Sequence, residues 1–230
     1  MSGDEQVYIQ ALALGLDPAW RRRTDEERRD DGRSFAEAEA AAEIDAVRSV
    51  PYSSVGLEPG VDLLLWRMGP SVDALEAAAA RVLRAGLGRW LTVRHSFIGR
   101  IGPSQYVRKP TEQEQSLFTG ERSRYLVVYP FVKSTDWYLL SKEARQGVMN
   151  EHMRVGHDYP MVRQALAYSF GLDSQEFVVA YEMDDLVAFG DLVRALRSTE
   201  SRRSTVSDTP ILLGIHRPLH EILDLLGASS

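Results

Sequence analysis

Arg124-Tyr125-Leu126-Val127-Val128-Tyr129-Pro130-Phe131-Val132 reads as a β-strand: β-branched and aromatic residues dominate it, and Pro130 stands where an edge strand tolerates a missing N–H. It opens the second half of a 230-residue chain. The first half opens the same way, with Gln6-Val7-Tyr8-Ile9-Gln10-Ala11-Leu12-Ala13-Leu14 alternating as a strand. Asp17-Pro18-Ala19-Trp20 then supplies a cap residue and a proline at the first helical position. The charged run from Arg21 to Arg33 reads as a solvated helix and a break, and a second helix is expected over 34–49. A buried strand over 61–68, an amphipathic helix from Ser71 to Leu87 and a strand over 90–101 complete this half.

After the strand at 124–132 the pattern repeats. A helix is expected over 140–156, with a helical extension across 160–168. A strand follows at 176–183, then a helix capped by Asp184-Asp185 and running to Leu196, and a strand at 209–215. Each half therefore reads roughly as strand, helix, strand, strand, helix, strand, the ferredoxin-like order. The expected fold class is α+β with duplicated ferredoxin-like domains, antiparallel sheets and helices outside. Residues 1–101 form the scaffold half and 122–230 the second half. The segment 102–121, with Gly102-Pro103, Pro110 and the polar run Thr111 to Gln115, reads as the linker.

Composition narrows the function. A net charge of −6 and a pI near 5.5 argue against nucleic acid, which selects clustered cations. The absence of Cys removes disulfides, thiolate metal sites and cysteine nucleophiles. The N-terminus lacks a basic region followed by an apolar one, and no apolar run approaches a membrane span, so a cytoplasmic protein with no membrane partner is expected.

The chemistry concentrates in Tyr129-Pro130-Phe131-Val132-Lys133-Ser134-Thr135-Asp136-Trp137-Tyr138, with His152 fifteen residues after Trp137. Tyr129 and Lys133 are four apart on a strand and point to one side. On the next helix Ala144, Val148, His152 and Val155 share an apolar face. An imidazole there is either a hydrogen-bonded core residue or a ligand to something buried beside it. His157 lies off that face, so a zinc site built from both histidines lacks ligands. His216 and His220 are separated by Pro218 and read as surface residues.

In order and spacing these residues resemble the haem half of the chlorite dismutase-like family, which includes coproheme decarboxylases and true chlorite dismutases. The resemblance is clearest from Arg124 to Gly227. It implies a barrel of the dimeric α+β type, commonly a homopentamer, and a cofactor or substrate that is haem b or iron coproporphyrin III. It places His152 as the proximal iron ligand, with Glu200 a candidate acceptor for its second ring nitrogen. It implies that Tyr129 is the radical-forming residue of the decarboxylase branch, that Lys133 meets a propionate, and that Trp137 and Tyr138 line the macrocycle. Arg197 matches a propionate-binding arginine, accompanied in that branch by a serine where this chain has Ser201 or Arg202, and Arg108 is a looser candidate.

Chlorite dismutases carry a distal arginine on the helix after the proximal histidine. Counting back from Gly171-Leu172-Asp173, Gln164 falls there, with Arg163 and Ala165 as neighbours that a one-residue shift would substitute. Glutamine has no charge to hold chlorite, but it can hydrogen-bond peroxide or water. The closing Leu213-Gly214-Ile215-His216-Arg217-Pro218 looks more like the chlorite dismutase branch. The expected function is peroxide-dependent oxidative decarboxylation of iron coproporphyrin III to haem b. The alternatives are chlorite dismutation and a haem-binding protein with weak peroxidase activity and no biosynthetic role.

Overall fold

A computed structural model describes residues 6–104, 106 and 121–228. Most of the expected linker, and Arg108 with it, lies outside the described residues. The chain forms two compact units, residues 1–101 with 213–230, and residues 102–212.

In the first unit the order is β1 (Val7–Leu16), α1 (Asp25–Ala40), β2 (Arg48–Glu58), β3 (Val61–Gly69), α2 (Val72–Arg84) and β4 (Leu91–Ile101). The sheet is antiparallel, ordered β4–β1–β3–β2. That is the ferredoxin-like arrangement, in which both outer strands flank the central pair β1 and β3. The run from Arg21 to Arg33 does not break the helix. Thr24 caps α1 through a reciprocal box with Glu27, and three acidic residues fill the first turn, so one helix continues to Ala40. Of the helix expected over 34–49, residues 41–45 wind into a 3-10 turn and Arg48-Ser49 already enter β2, which the sequence concealed with Pro51, the serine pair Ser53-Ser54 and Gly56. Leu12, Leu14 and Leu16 of β1, Leu63 and Leu65 of β3, Phe35, Val82 and Trp20 close one core. Each such side chain is worth roughly 1.5–3 kcal/mol when buried. Under the same helices lies a buried ion pair, Arg67 Nη2 to Glu39 Oε2 at 2.6 Å.

The second unit repeats the plan: β5 (Tyr125–Lys133), α3 (Thr135–Leu139), α4 (Lys142–His157), β6 (Arg163–Tyr168), β7 (Phe177–Met183), α5 (Leu186–Arg197) and β8 (Thr205–Ser207). Its sheet is ordered β6–β7–β5–β8, antiparallel throughout. Residues 160–168 are the clearest correction. The segment does not extend α4: Asp158 ends the helix, and 163–168 pairs with β7 from Arg163↔Glu182 to Tyr168↔Phe177. The alternation of buried Ala165 and Ala167 with outward Leu166 was the overlooked period-two signal.

β9 (Leu212–His216) then pairs with β2 through Tyr52↔His216 and Ser53↔Ile215. Helix α6 (Leu219–Leu226) buries Ile222, Leu223 and Leu226 in the core around Trp20 and Phe35. The last residues thus belong to the first unit rather than to a second half running from 122 to 230. The fold is α+β with two ferredoxin-like sheets.

Candidate active site

Register decides which side chains of the second unit share a face. Tyr129 pairs with Val179, Phe131 with Phe177 and Val127 with Tyr181. On the other side of β7, Gln164 pairs with Tyr181, Leu166 with Val179 and Tyr168 with Phe177. Partners across a ladder point the same way, so Tyr129, Tyr181, Gln164, Phe131, Phe177 and Tyr168 stand on one face. Ring contacts agree: Phe131 stacks on Phe177 at 4.5 Å, Tyr129 on Tyr181 at 6.0 Å, and Phe189 of α5 meets Tyr181 at 5.3 Å. Arg163 and Ala165 point to the opposite face. There Arg163 Nη2 pairs with Glu182 at 2.9 Å and donates to Ser123 Oγ at 2.8 Å. Of the three residues that could occupy the expected distal position, only Gln164 shares the face of Tyr129.

Tyr129 is half-buried on its strand. Burial, followed by its contact with Tyr181, pushes its phenol well above the ordinary range, so it is neutral and keeps its proton at any working pH.

Lys133 is held by the protein around it. It is 8% exposed, and its ammonium donates to Ser201 O at 3.0 Å, Ser201 Oγ at 3.0 Å and Thr205 Oγ1 at 3.2 Å. An ammonium has three hydrogens, and these three acceptors match them. Burial, with the Arg202 charge second, lowers its pKa to about 8. The ring of buried Trp137 lies under the ammonium at 4.7 Å from the centroid. Trp137 and Tyr138 sit on the short helix α3 rather than on a strand end. Tyr138 meets Phe170 edge-on at 6.0 Å, and Phe170 in turn meets Phe177. Burial and the neighbouring Glu176 carboxylate raise the Tyr138 phenol.

His152 lies on α4, whose N-terminus Ser141 caps at Ala144 N. Burial first, and the Lys133 charge second, lower its pKa to about 4, so the imidazole is neutral at physiological pH. Its Nδ1 is buried and accepts or donates no hydrogen bond among the described residues. Glu200 is not its acceptor: that side chain is exposed and pairs with Arg203 Nε at 3.4 Å. Glu151 instead caps the turn there, accepting from Glu200 N at 3.0 Å.

Arg197 closes α5 and gives Nη2 to Asp208 Oδ2 at 3.0 Å, while Arg202 Nη1 reaches the same oxygen at 2.9 Å. Two guanidiniums on one carboxylate leave a net positive charge with donors to spare. Asp208 and Tyr181 were missed in the sequence, which named Arg202 only as a stand-in for a serine. Tyr181 alone carried a signal, as the third member of the Phe177, Val179, Tyr181 alternation.

No residue of α4 is buried, although Arg145, Val148, His152 and Val155 form a half-buried stripe. The sheet in the same unit bears an aromatic face, and the helix bears a neutral imidazole with an unpartnered buried nitrogen. That combination fits a flat, apolar, metal-bearing ring better than it fits ordinary helix-on-sheet packing. No cluster of three or more His, Asp or Glu suited to a bare metal ion occurs among the described residues. None of the described helices is long and apolar enough to cross a membrane.

Comparisons with known proteins agree with this build. The chlorite dismutase family model matches residues 26–217. The coproheme decarboxylase of Mycolicibacterium smegmatis is 32% identical over 165 residues, 71% of this chain and 70% of that protein. The chlorite dismutase of Ideonella dechloratans is 25% identical over 188 residues, 76% of this chain and 64% of that protein. Among solved structures, a chlorite dismutase variant from Candidatus Nitrospira defluvii superposes with a TM-score of 0.86 at 28% identity, covering 98% of this chain and 97% of that one. The imidazole complex of that enzyme superposes with a TM-score of 0.84 at 28% identity, over 96% and 95% of the two chains. The fold is thus the duplicated ferredoxin-like α+β class of these chlorite dismutase-like proteins. The chain belongs to the chlorite dismutase family.

Proposed function

We propose that this chain is a coproheme decarboxylase, removing carboxyl groups from iron coproporphyrin III with hydrogen peroxide to give haem b. The supporting observation is the placement of Tyr129: a neutral phenol on the aromatic sheet face, in the same unit as the neutral imidazole of His152. The relative at 32% identity carries that activity in its name.

The bound iron porphyrin supplies the oxidising power of peroxide. Each turnover converts one propionate and one peroxide into a vinyl group, carbon dioxide and two waters. His152 ligates the iron through a ring that needs no deprotonation. Tyr129 delivers the oxidation to the propionate as a hydrogen-abstracting phenoxyl and recovers its O–H from the substrate C–H. Gln164 offers an amide to hydrogen-bond peroxide, without the charge that would retain an anion. Trp137 and Tyr138 belong to the aromatic wall. Arg197, with Arg202 at the same Asp208, provides cations for propionates, a role that passes from Lys133 to this pair. A cytoplasmic homopentamer is the assembly and setting that go with this reading.

The test is mass spectrometry of the porphyrin after mixing purified protein, iron coproporphyrin III and peroxide. Stepwise loss of two carboxyl groups supports the decarboxylase, and tight binding with unchanged mass defeats it. Chlorite dismutation is the second reading, favoured by the structural likeness to chlorite dismutases. It predicts oxygen release from chlorite by the same preparation. Neither activity beside firm haem binding would leave a non-biosynthetic haem protein.

A further inference from the structure

Asp208 is the anion at the centre of a cationic corner, and the mechanism above gives it no task of its own. β8 is the edge strand beside β5, and its last ladder pair is Val132↔Ser207. Asp208 is the next residue, which sets it near Phe131, whose ring belongs to the aromatic face. There one carboxylate oxygen, Oδ2, accepts from Arg197 Nη2 at 3.0 Å and from Arg202 Nη1 at 2.9 Å.

The two cations arrive from different elements. Arg197 closes α5, the helix that rests Phe189 on Tyr181. Arg202 lies in the turn Glu200–Ser204, whose backbone is pinned twice. Lys133 Nζ donates to Ser201 O at 3.0 Å, and Glu200 N donates to Glu151 Oε2 at 3.0 Å. The two guanidinium nitrogens on Oδ2 lie within about 6 Å of each other, where like charges repel unless an anion stands between them. Asp208 is that anion. Each guanidinium spends on it one of the five N–H groups it carries.

We propose that Asp208 is a positioning residue for carboxylate binding, tethering Arg197 and Arg202 as a two-armed clamp that selects porphyrins by their acid groups. The inference rests on the reading of Arg197 and Arg202 as the propionate cations. A free arginine loses rotamer freedom when it grips a ligand, and a tethered one has lost it already. The tether needs an acceptor oxygen rather than a negative charge. The charge itself works against an incoming carboxylate, which moderates the grip of the clamp.

The test compares affinities by quenching of tryptophan fluorescence, with no peroxide present. Two probes share one ring and iron: iron coproporphyrin III, which carries free carboxylates, and its tetramethyl ester, which has none. Asp208→Ala should weaken binding of the acid roughly tenfold, the worth of a hydrogen bond to a charged group, and leave the ester within about twofold. Asp208→Asn keeps an acceptor oxygen for both guanidiniums and sheds the charge, so it should bind the acid at least as tightly as the wild type. An Ala variant that binds the acid normally would overturn the tether. Equal losses for acid and ester would overturn it as well, since they mark a merely structural residue. So would an Asn variant as weak as Ala, because the charge would then be what matters. A wild type with no preference for the acid over the ester would instead overturn the reading of Arg197 and Arg202, and the role of Asp208 with it. Binding is read without turnover, so failure of the decarboxylase assay alone leaves the clamp standing.

Discussion

Lys133 stands 4.7 Å over the ring of Trp137 and surrenders all three ammonium hydrogens to Ser201 and Thr205. A charge held this way fastens β5 to the turn at Glu200–Ser204, and burial lowers its pKa to about 8 against an ordinary value of 10.5. Between these values the unfolded chain binds the proton and the folded chain releases it. Stability of the porphyrin-free protein should therefore rise as pH increases from 8 toward 10, before the phenols begin to ionise. Lys133→Met should flatten that slope in urea titrations at several pH values. An unchanged slope would remove Lys133 as its source.

His152 faces the opposite case, a group already neutral. Its pKa of about 4 means that porphyrin need not displace a proton from the ring. Affinity for iron coproporphyrin III should be flat from pH 8 down to about 5, where a free imidazole would have protonated. His152→Ala should lose the five-coordinate Soret spectrum, and added imidazole should restore part of it. A variant with the native spectrum would refute the ligand assignment.

The sequence showed the duplication because period-two and period-3.6 patterns alternate twice, and it showed the Tyr129 to Tyr138 run because its residue types are unusual together. It hid whatever tertiary context overrides locally. Pro51, Ser53, Ser54 and Gly56 look like a loop, yet β2 forms because β3 offers it a ladder from Arg48↔Met68 to Ser53↔Leu63. The strand at 163–168 hid behind a helical reading of its flank. The burial of Lys133 could not be seen either, since its acceptors lie 68 and 72 residues later in the chain. Face and register were needed to choose among Arg163, Gln164 and Ala165, and spacing counts alone leave that choice open.

Gln164 carries the next prediction. It is half-buried, on the same face as Tyr129, and is an uncharged donor. Gln164→Leu should lower the rate with peroxide by about 10², the usual cost of one donor aimed at developing charge, while porphyrin affinity stays within a few-fold. Gln164→Arg should raise turnover of chlorite, because a cation there can hold the anion. Stopped-flow absorbance with peroxide and oxygen release from chlorite read the two. A Leu variant with native kinetics would show that the amide does not touch the oxidant.

Glu182 governs the other face of the same sheet. Its carboxylate is fully buried, 2.9 Å from Arg163 Nη2 and 3.5 Å from Arg122 Nη1, and the Arg122 side chain is only 6% exposed. β7 carries Tyr181 one residue before it, so this ion cluster and the candidate site hang on one strand, back to back. Deleting the anion takes the carboxylate from two guanidiniums, one of them almost wholly desolvated. Glu182→Leu should therefore cost roughly 3–5 kcal/mol of stability, whereas Arg163→Leu, which removes the more exposed cation, should cost about 1–3 kcal/mol. Denaturant midpoints of the porphyrin-free variants give both values. Because the cluster points away from Tyr129, a folded Arg163→Leu protein should still bind iron coproporphyrin III. If it binds normally, the two faces of the sheet are energetically separate, and if it does not, β7 transmits strain from its ion cluster to Tyr181.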